Sequence, residues 1–274
     1  MIKAVSYLFL LMFVGFSRLQ GAFELHSGNY FPIPICDGLN IGLPLLNDMI
    51  SSTIPPKKSS SSRVNTEYGN QFGLQEMTRY SAHGVWQLGS WQMGLGGSTF
   101  GSPLLYREQV VEAAVVLALH NKLTIGGGLG RYELRIQNYG SAASYGGHAA
   151  WVFKLDNNII WSTYLHNIVI IGSSDLRTEL PRVVSTGIAA LVGDNLIARV
   201  QWEQDLVYSG RLSFGTVWRI RPWFSVLAGY IGQPSQVQVG IGITILKINI
   251  GYVAVTHQQL GLSQTVGVSI SLGR

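Results

Sequence analysis

The feature that most constrains the fold is the alternation of apolar with small or polar residues at positions 236–257, QVQVGIGITILKINIGYVAVTH. Up to Ile245, Val and Ile occupy one parity, whereas Gln, Gly and Thr occupy the other. The apolar parity reverses after Leu246-Lys247, as an antiparallel hairpin with a two-residue turn requires. The predicted cross-strand pairs are Ile245 with Ile248, Ile243 with Ile250, and Ile241 with Tyr252. One face of this hairpin is therefore apolar throughout.

Short polar interruptions of the same kind recur along the chain from about Gly84 onward. Apolar residues of matching face flank each of the tight turns predicted at 120–122, 156–158, 193–195, 221–223 and 246–247. Looser connections are predicted between them, at 96–106, 137–146, 172–182, 207–210, 232–235 and 257–262. This alternation of short turns and longer loops is typical of outer-membrane β-barrels. We count about twelve strands from Gly84, and Val64 to Tyr80 adds up to two, so the even total is about 12 to 14.

A water-soluble β-sandwich also alternates, and it is the main alternative to a barrel. Its inner faces pack against each other and accept few charges. Here the face opposite the aliphatic residues carries Arg199, Glu203 and Arg211. The chain is 47% hydrophobic and only 12% charged, whereas about a quarter of residues are charged in ordinary soluble domains. We therefore predict an all-β fold, an antiparallel transmembrane β-barrel with an N-terminal extension.

The N-terminal region differs in character from the barrel. Residues 1–22 have Lys3, a short apolar core and small residues at Gly21-Ala22, which indicates a secretory signal peptide; a membrane-anchoring helix is the alternative. Residues 23–80, including PPKKSSSS, are interpreted as an extension or plug with one or two strands, and 81–274 as the barrel. Cys36 is the single cysteine, so it forms no internal disulfide and is expected to be an inert thiol.

Seven charged residues have the parity that faces the barrel lumen. They are candidate lumen-lining residues: Glu112, Lys154, Arg199, Glu203, Asp205, Arg211 and Arg219. As cross-lumen ion pairs they would stiffen or block the interior. Along an open path they would select solutes by charge. A barrel of about 12 to 14 strands is near the size at which side chains and a terminal segment still close the lumen.

Signals for catalysis or cofactor binding are weak in this sequence. TIGGGLGRYE at 124–133 has glycines but no following amphipathic helix, so no phosphate site is predicted, and the glycines are interpreted as inward-facing positions that let the sheet bend. No Ser or His has a recognisable catalytic spacing, so no catalytic residue, metal or cofactor is assigned. Metal ligation by His148 and His166, on the lumen parity of neighbouring strands, is the alternative to a plain polar lining.

The residues 247–273, KINIGYVAVTHQQLGLSQTVGVSISLG, resemble the C-terminal end of PorV/FadL-type outer-membrane proteins. A strand with an aromatic residue, Tyr252, is followed by a short loop with Leu260-Gly261 and a final alternating strand, 266–272. This resemblance implies a barrel of about fourteen strands in the outer membrane of a Gram-negative bacterium. It also implies either passage of hydrophobic molecules or a role in protein secretion.

Two functional hypotheses follow from these observations. The first is a channel or transporter that moves small or hydrophobic solutes across the bacterial outer membrane. The second is a non-transporting secretion-system component or surface scaffold that binds a protein of the secretion machinery. An enzyme is not expected, although an integral membrane enzyme remains a third class. Without residues 1–22 the formal charge falls from +5 to +3, because Lys3 and Arg18 are lost, and this small excess gives no reason to expect nucleic-acid binding. The remaining expected partner is outer-membrane lipid.

Overall fold

A computed structural model describes residues 35–36, 39–51, 62–102, 105–172, 180–205, 210–232, 235–257 and 260–272. They form a closed barrel of fourteen antiparallel strands with a short N-terminal segment inside it. The strands are β1 (Arg63–Asn70), β2 (Thr78–Leu88), β3 (Trp91–Ser102), β4 (Tyr106–His120), β5 (Leu123–Ile136), β6 (Gly140–Lys154), β7 (Ile159–Gly172), β8 (Val183–Val192), β9 (Leu196–Asp205), β10 (Arg211–Arg221), β11 (Phe224–Ile231), β12 (Gln236–Ile245), β13 (Ile248–His257) and β14 (Gly261–Ser271). The predicted all-β barrel is confirmed, with the strand number at the upper end of the expected range.

Each strand pairs with its neighbours in sequence, and β1 pairs with β14 to close the sheet. The hairpin of β12 and β13 has the predicted register, with Ile245 opposite Ile248, Ile243 opposite Ile250 and Ile241 opposite Tyr252. Closure leaves no unpaired edge strand in the sheet, which removes the usual site of edge-to-edge aggregation.

The apolar parity of the strands points outward. In β12 the side chains of Val237, Val239 and Ile241 are 49%, 51% and 43% exposed, whereas those of Gln236 and Gln238 are 3% and 1% exposed. A two-sheet sandwich would show the reverse, with the aliphatic residues buried. The β-sandwich alternative is therefore wrong for this chain.

The two ends of the barrel differ in their connections. At one end, called the turn end, short turns join β2 to β3, β4 to β5, β6 to β7, β8 to β9, β10 to β11 and β12 to β13. Both termini of the sheet also lie there, since the Leu272 amide donates to the Ser62 carbonyl at 2.7 Å. The other end, called the loop end, carries the remaining connections. The five predicted tight turns are all at the turn end, and a sixth, Gly89-Ser90, was not predicted.

Two predicted loops are largely strand. β3 continues to Ser102 and β6 begins at Gly140, so most of 96–106 and 137–146 is paired backbone. Glycines in these segments allow close approach of neighbouring strands: a Cβ at Gly96 would lie 2.6 Å from the Cβ of His83 on the adjacent strand.

The N-terminal segment, called the plug, has the described residues 35–36 and 39–51, and these lie inside the turn-end half of the barrel. It contains an isolated bridge between Cys36 and Leu39 and ends in the helix α1 (Leu45–Ser51). All of its described residues are buried, including the Cys36 thiol. The sheet begins at Arg63, so the region interpreted as an extension contains β1 and the start of β2. The predicted signal peptide, residues 1–22, lies outside the described residues. No helix of the described residues is long and apolar enough to cross a membrane.

Candidate functional site: the plugged lumen

A buried polar cluster around Asp48 fastens α1 to β1 and β2. Arg63 donates from Nη2 to Asp48 Oδ2 at 2.8 Å, and His83 Nε2 lies 2.9 Å from the same oxygen. Asn40 Nδ2 donates to Asp48 Oδ1 at 2.7 Å, and Asn65 Nδ2 donates to Oδ2 at 3.4 Å. Asp48 itself is fully buried. The plug thus carries a buried charge whose counterion, Arg63, lies on the wall of the barrel.

The pKa of Asp48 reflects this cluster. Burial by itself would raise the pKa of the carboxyl, but the charges of Arg63 and His83 and the hydrogen bonds from His83 and Asn40 hold it well below its ordinary value of 3.8. Because the pKa of the docked state is depressed, the stabilisation from this carboxylate is fully present above the ordinary pKa. It is lost as the pH falls through the depressed value.

Further polar contacts follow the plug around the lumen. The Gly42 amide donates to Glu67 Oε2 at 3.0 Å, and the Leu45 amide at the start of α1 donates to Glu112 Oε2 at 3.0 Å. Later in α1, Asn47 Oδ1 lies 3.1 Å from His166 Nε2, and Ser51 Oγ lies 3.0 Å from the Tyr164 hydroxyl. Inward-facing residues of β1, β4 and β7 therefore all bind the plug.

Two apolar clusters hold opposite sides of the plug. The first part of the plug packs on β9 to β13; this cluster contains Ile35, Cys36, Leu39, Ile41, Ile197, Val217, Leu227, Val253 and Val255. The helix packs on β2 and β4 to β7; this cluster contains Leu45, Leu46, Met49, Ile50, Val85, Ala114, Val116, Ala150, Val152, Ile160 and Tyr164. The plug therefore bridges the lumen from wall to wall.

Inward-facing glycines make room for these plug side chains. A Cβ at Gly126 would lie 2.8 Å from Cδ1 of Leu46, and one at Gly251 would lie 2.8 Å from Cδ1 of Ile41. Similarly, a Cβ at Gly94 would lie 2.5 Å from Sδ of Met49. These distances are shorter than normal van der Waals contact, so even alanine would disturb the plug. The lumen glycines form sockets for the plug.

A small cavity of ≈ 40 Å³ lies between the plug and the loop end. Leu43, Pro44 and Leu45 of the plug line it, together with wall residues that include Arg79, Glu112, Tyr132, His166 and Asn167. The wall of the cavity continues into a third apolar cluster, made of Val110, Tyr132, Ile170 and Leu180. A molecule that reached this cavity from the loop end would touch the plug directly.

The seven predicted lumen-lining residues all lie on the inward parity, but they do not form one constellation. Glu112 binds the plug, and Arg199, which is 2% exposed, donates to Ser162 Oγ at 3.0 Å. Glu203 and Arg211 form an ion pair at 2.5 Å near the loop end, where Asp205 also lies. Lys154 and Arg219 lie near the turn end. Whether any of them selects solutes stays a prediction.

The two histidines considered as metal ligands are neighbours. The ring centroids of His148 and His166 are 5.3 Å apart, and His148 Nε2 lies 3.2 Å from the Tyr132 hydroxyl. His166 binds Asn47 of the plug. Among the described residues no group of three or more His, Cys, Asp or Glu side chains could hold a metal ion.

Of the residues that fasten the plug, Glu112 was predicted to line the lumen, whereas Asp48, Arg63 and Glu67 were not singled out from the sequence. In RVNTEYGN at 63–70, Arg63, Asn65 and Glu67 alternate with Val64, Thr66 and Tyr68, which is the pattern of an inward polar face. A lone acid, Asp48, within the apolar run LPLLNDMI was the second available signal. Together they indicate a charge on the plug that matches a charge on the wall.

Solved structures with a similar fold include two toluene transporters. The chain is similar to TbuX of Ralstonia pickettii, with 10% identity, a TM-score of 0.60 and coverage of 91% of this chain and 98% of that chain. It is also similar to TodX of Pseudomonas putida, with 12% identity, a TM-score of 0.56 and coverage of 82% and 94%. No family model matches the sequence, and no curated protein matches it. These likenesses show the fold, and the predicted resemblance to FadL-type barrels is confirmed at that level.

Proposed function

We propose that this chain is a channel of the bacterial outer membrane that passes small apolar solutes, with residues 35–51 as its gate. The observation that carries the proposal is the position of the plug: it closes the turn-end half of the lumen and forms the floor of the cavity that opens above it. The outward apolar parity of the strands suits a lipid bilayer. The shared fold with two toluene transporters supports the same solute class.

Passage requires the plug to move. The cavity above the plug is ≈ 40 Å³, whereas a cavity that binds benzene in another protein is about 150 Å³. A monoaromatic solute therefore does not fit in this cavity while the plug is in place. If a solute binds more tightly to the state with a displaced plug, it shifts the population toward that state.

The inner wall near the loop end suits an apolar solute on one side only. Val110, Ile170 and Leu180 form a buried apolar cluster on β4, β7 and the residues before β8. The ion pair of Glu203 and Arg211 lies on β9 and β10, further around the barrel. An uncharged solute would follow the apolar side, and the charged side would stiffen the wall.

Two adjacent glycines of β5 provide a matched test of the gate. Gly126 faces Leu46 and Ile50 of the plug, whereas a Cβ at Gly127 would meet only the His148 carbonyl oxygen at 3.8 Å. We expect Gly126→Leu to displace the plug and raise ion conductance in planar bilayers, while Gly127→Leu conducts like the wild type. Heat-modifiable migration on gels would verify that both variants are folded.

Solute entry is tested in cells whose outer membrane has an intact lipopolysaccharide leaflet. An apolar fluorescent dye, 1-N-phenylnaphthylamine, should enter faster with the wild-type chain than with an empty vector, and faster still with Gly126→Leu. Entry at the empty-vector rate in both cases would refute the channel.

The second candidate is a sealed scaffold that binds a protein of a secretion system. The tight fit of the plug against both walls favours it, because a barrel without transport has no need to open. It predicts a Gly126→Leu variant that stays closed or fails to assemble, and a wild-type chain that co-purifies with a partner. The absence of enzymatic activity remains a prediction under both candidates.

A further inference from the structure

An outward-facing cluster of arginines lies at the loop end of β4 and β5. The outward parity of these strands carries Arg107 and Gln109 on β4, and Arg131, Glu133 and Arg135 on β5. Three cations and one acid leave an excess of two positive charges on the outer surface of the barrel. The rest of the outward face in this region is apolar or uncharged, as at Val111 and Tyr145.

The charges in this cluster are not balanced by the protein. Glu133 is already paired with Arg131, at 2.7 Å. Arg107 and Arg135 stand directly opposite each other in the β4–β5 register, and Arg107 Nε is buried without a hydrogen-bond partner. Like charges at opposed positions destabilise a sheet. An anion between the two guanidinium groups would remove this repulsion and use their free donors.

A groove on the outer surface adjoins the arginines. It has a volume of ≈ 590 Å³, and its lining includes Tyr80, Ala82, Gly97, Val111 and Arg131. The consecutive cross-strand partners from β2 to β5 are Ala82, Gly97, Val111 and Arg131. Because Ala82 and Gly97 are the smallest of the four residues, they form a depression beside the larger side chains. Arg107 and Arg135 lie four residues further toward the loop end, about 13 Å along the strands.

We propose that this surface binds a phosphorylated, acylated lipid of the outer leaflet, with a phosphate between Arg107 and Arg135 and an acyl chain over Ala82 and Gly97. The arginine pair matches the phosphate of such a lipid, and the groove matches its acyl chain. The arginines lie nearer the loop end than the groove does, so the phosphate would lie toward the loop end. A second copy of the chain would cover the groove but would bring another Arg pair against this one. The inference rests on the proposed outer-membrane location, with the loop end facing the cell exterior because the longer loops of outer-membrane barrels are extracellular, and it does not require the channel to open.

The test uses the full chain in non-ionic detergent, stripped of lipid and titrated with bis-phosphorylated lipid A, with bound lipid counted by native mass spectrometry. We expect one lipid to bind saturably. Arg107→Gln with Arg135→Gln should weaken binding about tenfold or more, and removal of the phosphates from the lipid should have the same effect on the wild type. The charge-matched control, Lys122→Gln with Lys247→Gln in exposed turns at the turn end, should bind normally.

The groove has its own matched pair of variants. Ala82→Leu fills the depression and should weaken binding several-fold, whereas Ala113→Leu, also outward-facing but outside the groove lining, should not.

Four results would overturn the inference: unsaturable binding, equal affinity in the double Arg variant, equal affinity for inorganic phosphate, or a lipid-free dimer through this face. Lipid binding with this dependence in a chain that admits no dye would refute the channel and support the inference. Dye entry without lipid binding would support the channel and refute the lipid site.

Discussion

The two halves of the plug are held by different forces. The first half, whose described residues are 35–36 and 39–41, relies mainly on apolar contacts with the wall. Its polar links to the wall are the Ser225 hydroxyl, which donates to the Ile35 carbonyl, and Cys36 Sγ, 3.8 Å from the Ile250 carbonyl, while Asn40 donates to Asp48 of the second half. The second half, α1, combines an apolar face with the buried Asp48 cluster. Loss of one charge should therefore release the helix and leave the first half docked, so the plug can open in stages.

Substitution of Asp48 by Asn gives the largest expected effect. It leaves Arg63, which is 1% exposed, as a buried charge without its counterion, and breaking such a pair costs about 3–5 kcal/mol. We expect backbone amides of 45–51 to exchange hydrogen much faster in mass-spectrometric measurements, and the Cys36 thiol to react with a maleimide only slightly faster. Asp194→Asn, in an exposed turn, is the control. Equal increases at both sites would mean that the plug moves as one rigid body.

Truncation of Leu39 to Ala should loosen the first half of the plug and leave α1 docked. Leu39 is fully buried in the first half of the plug, and removal of a buried Leu side chain costs about 2–5 kcal/mol. Maleimide labelling of Cys36 should accelerate, while exchange in α1 stays near the wild-type rate. Leu212→Ala, on the exposed outward face, should change neither. Faster exchange in α1 as well would refute independent halves.

Removal of the Tyr164 hydroxyl should have the smallest effect. Tyr164→Phe deletes the 3.0 Å hydrogen bond to Ser51 Oγ and keeps the ring in its apolar cluster. A loss of about 0.5–1.5 kcal/mol is expected, visible as faster exchange in the last turn of α1. Tyr139→Phe, which changes an 89% exposed side chain, is the control. A change in Cys36 labelling would contradict a local role for this hydroxyl.

The barrel could be predicted because its rules are local. Side chains alternate with a period of two, and opposed residues of a hairpin have a constant number sum, so Ile243 and Ile250 could be paired from the sequence alone. The lengths of β3 and β6 could not be predicted, because a glycine in the sequence is compatible with either a turn or a close contact between strands. Only the three-dimensional arrangement distinguishes the two.

The plug contacts depend on positions that are distant in sequence. Asp48 meets His83 across 35 residues, and Ser51 meets Tyr164 across 113. Periodicity says which face a strand residue occupies, but it gives no position for a segment that crosses the lumen. The predicted charged residues were therefore assigned to the correct face without their partners, and the glycines of β5 were interpreted as bends although Gly126 is a socket.

The position at which the sheet begins affects how a displaced plug helix returns to the lumen. Ten residues, 52–61, join Ser51 at the end of α1 to Ser62 at the turn end. A chain of that length spans at most about 36 Å. A released helix thus stays tethered beside the entrance of its own barrel, where its effective concentration is on the order of millimolar. Reclosure is then a first-order event that does not depend on how many copies of the protein the membrane holds.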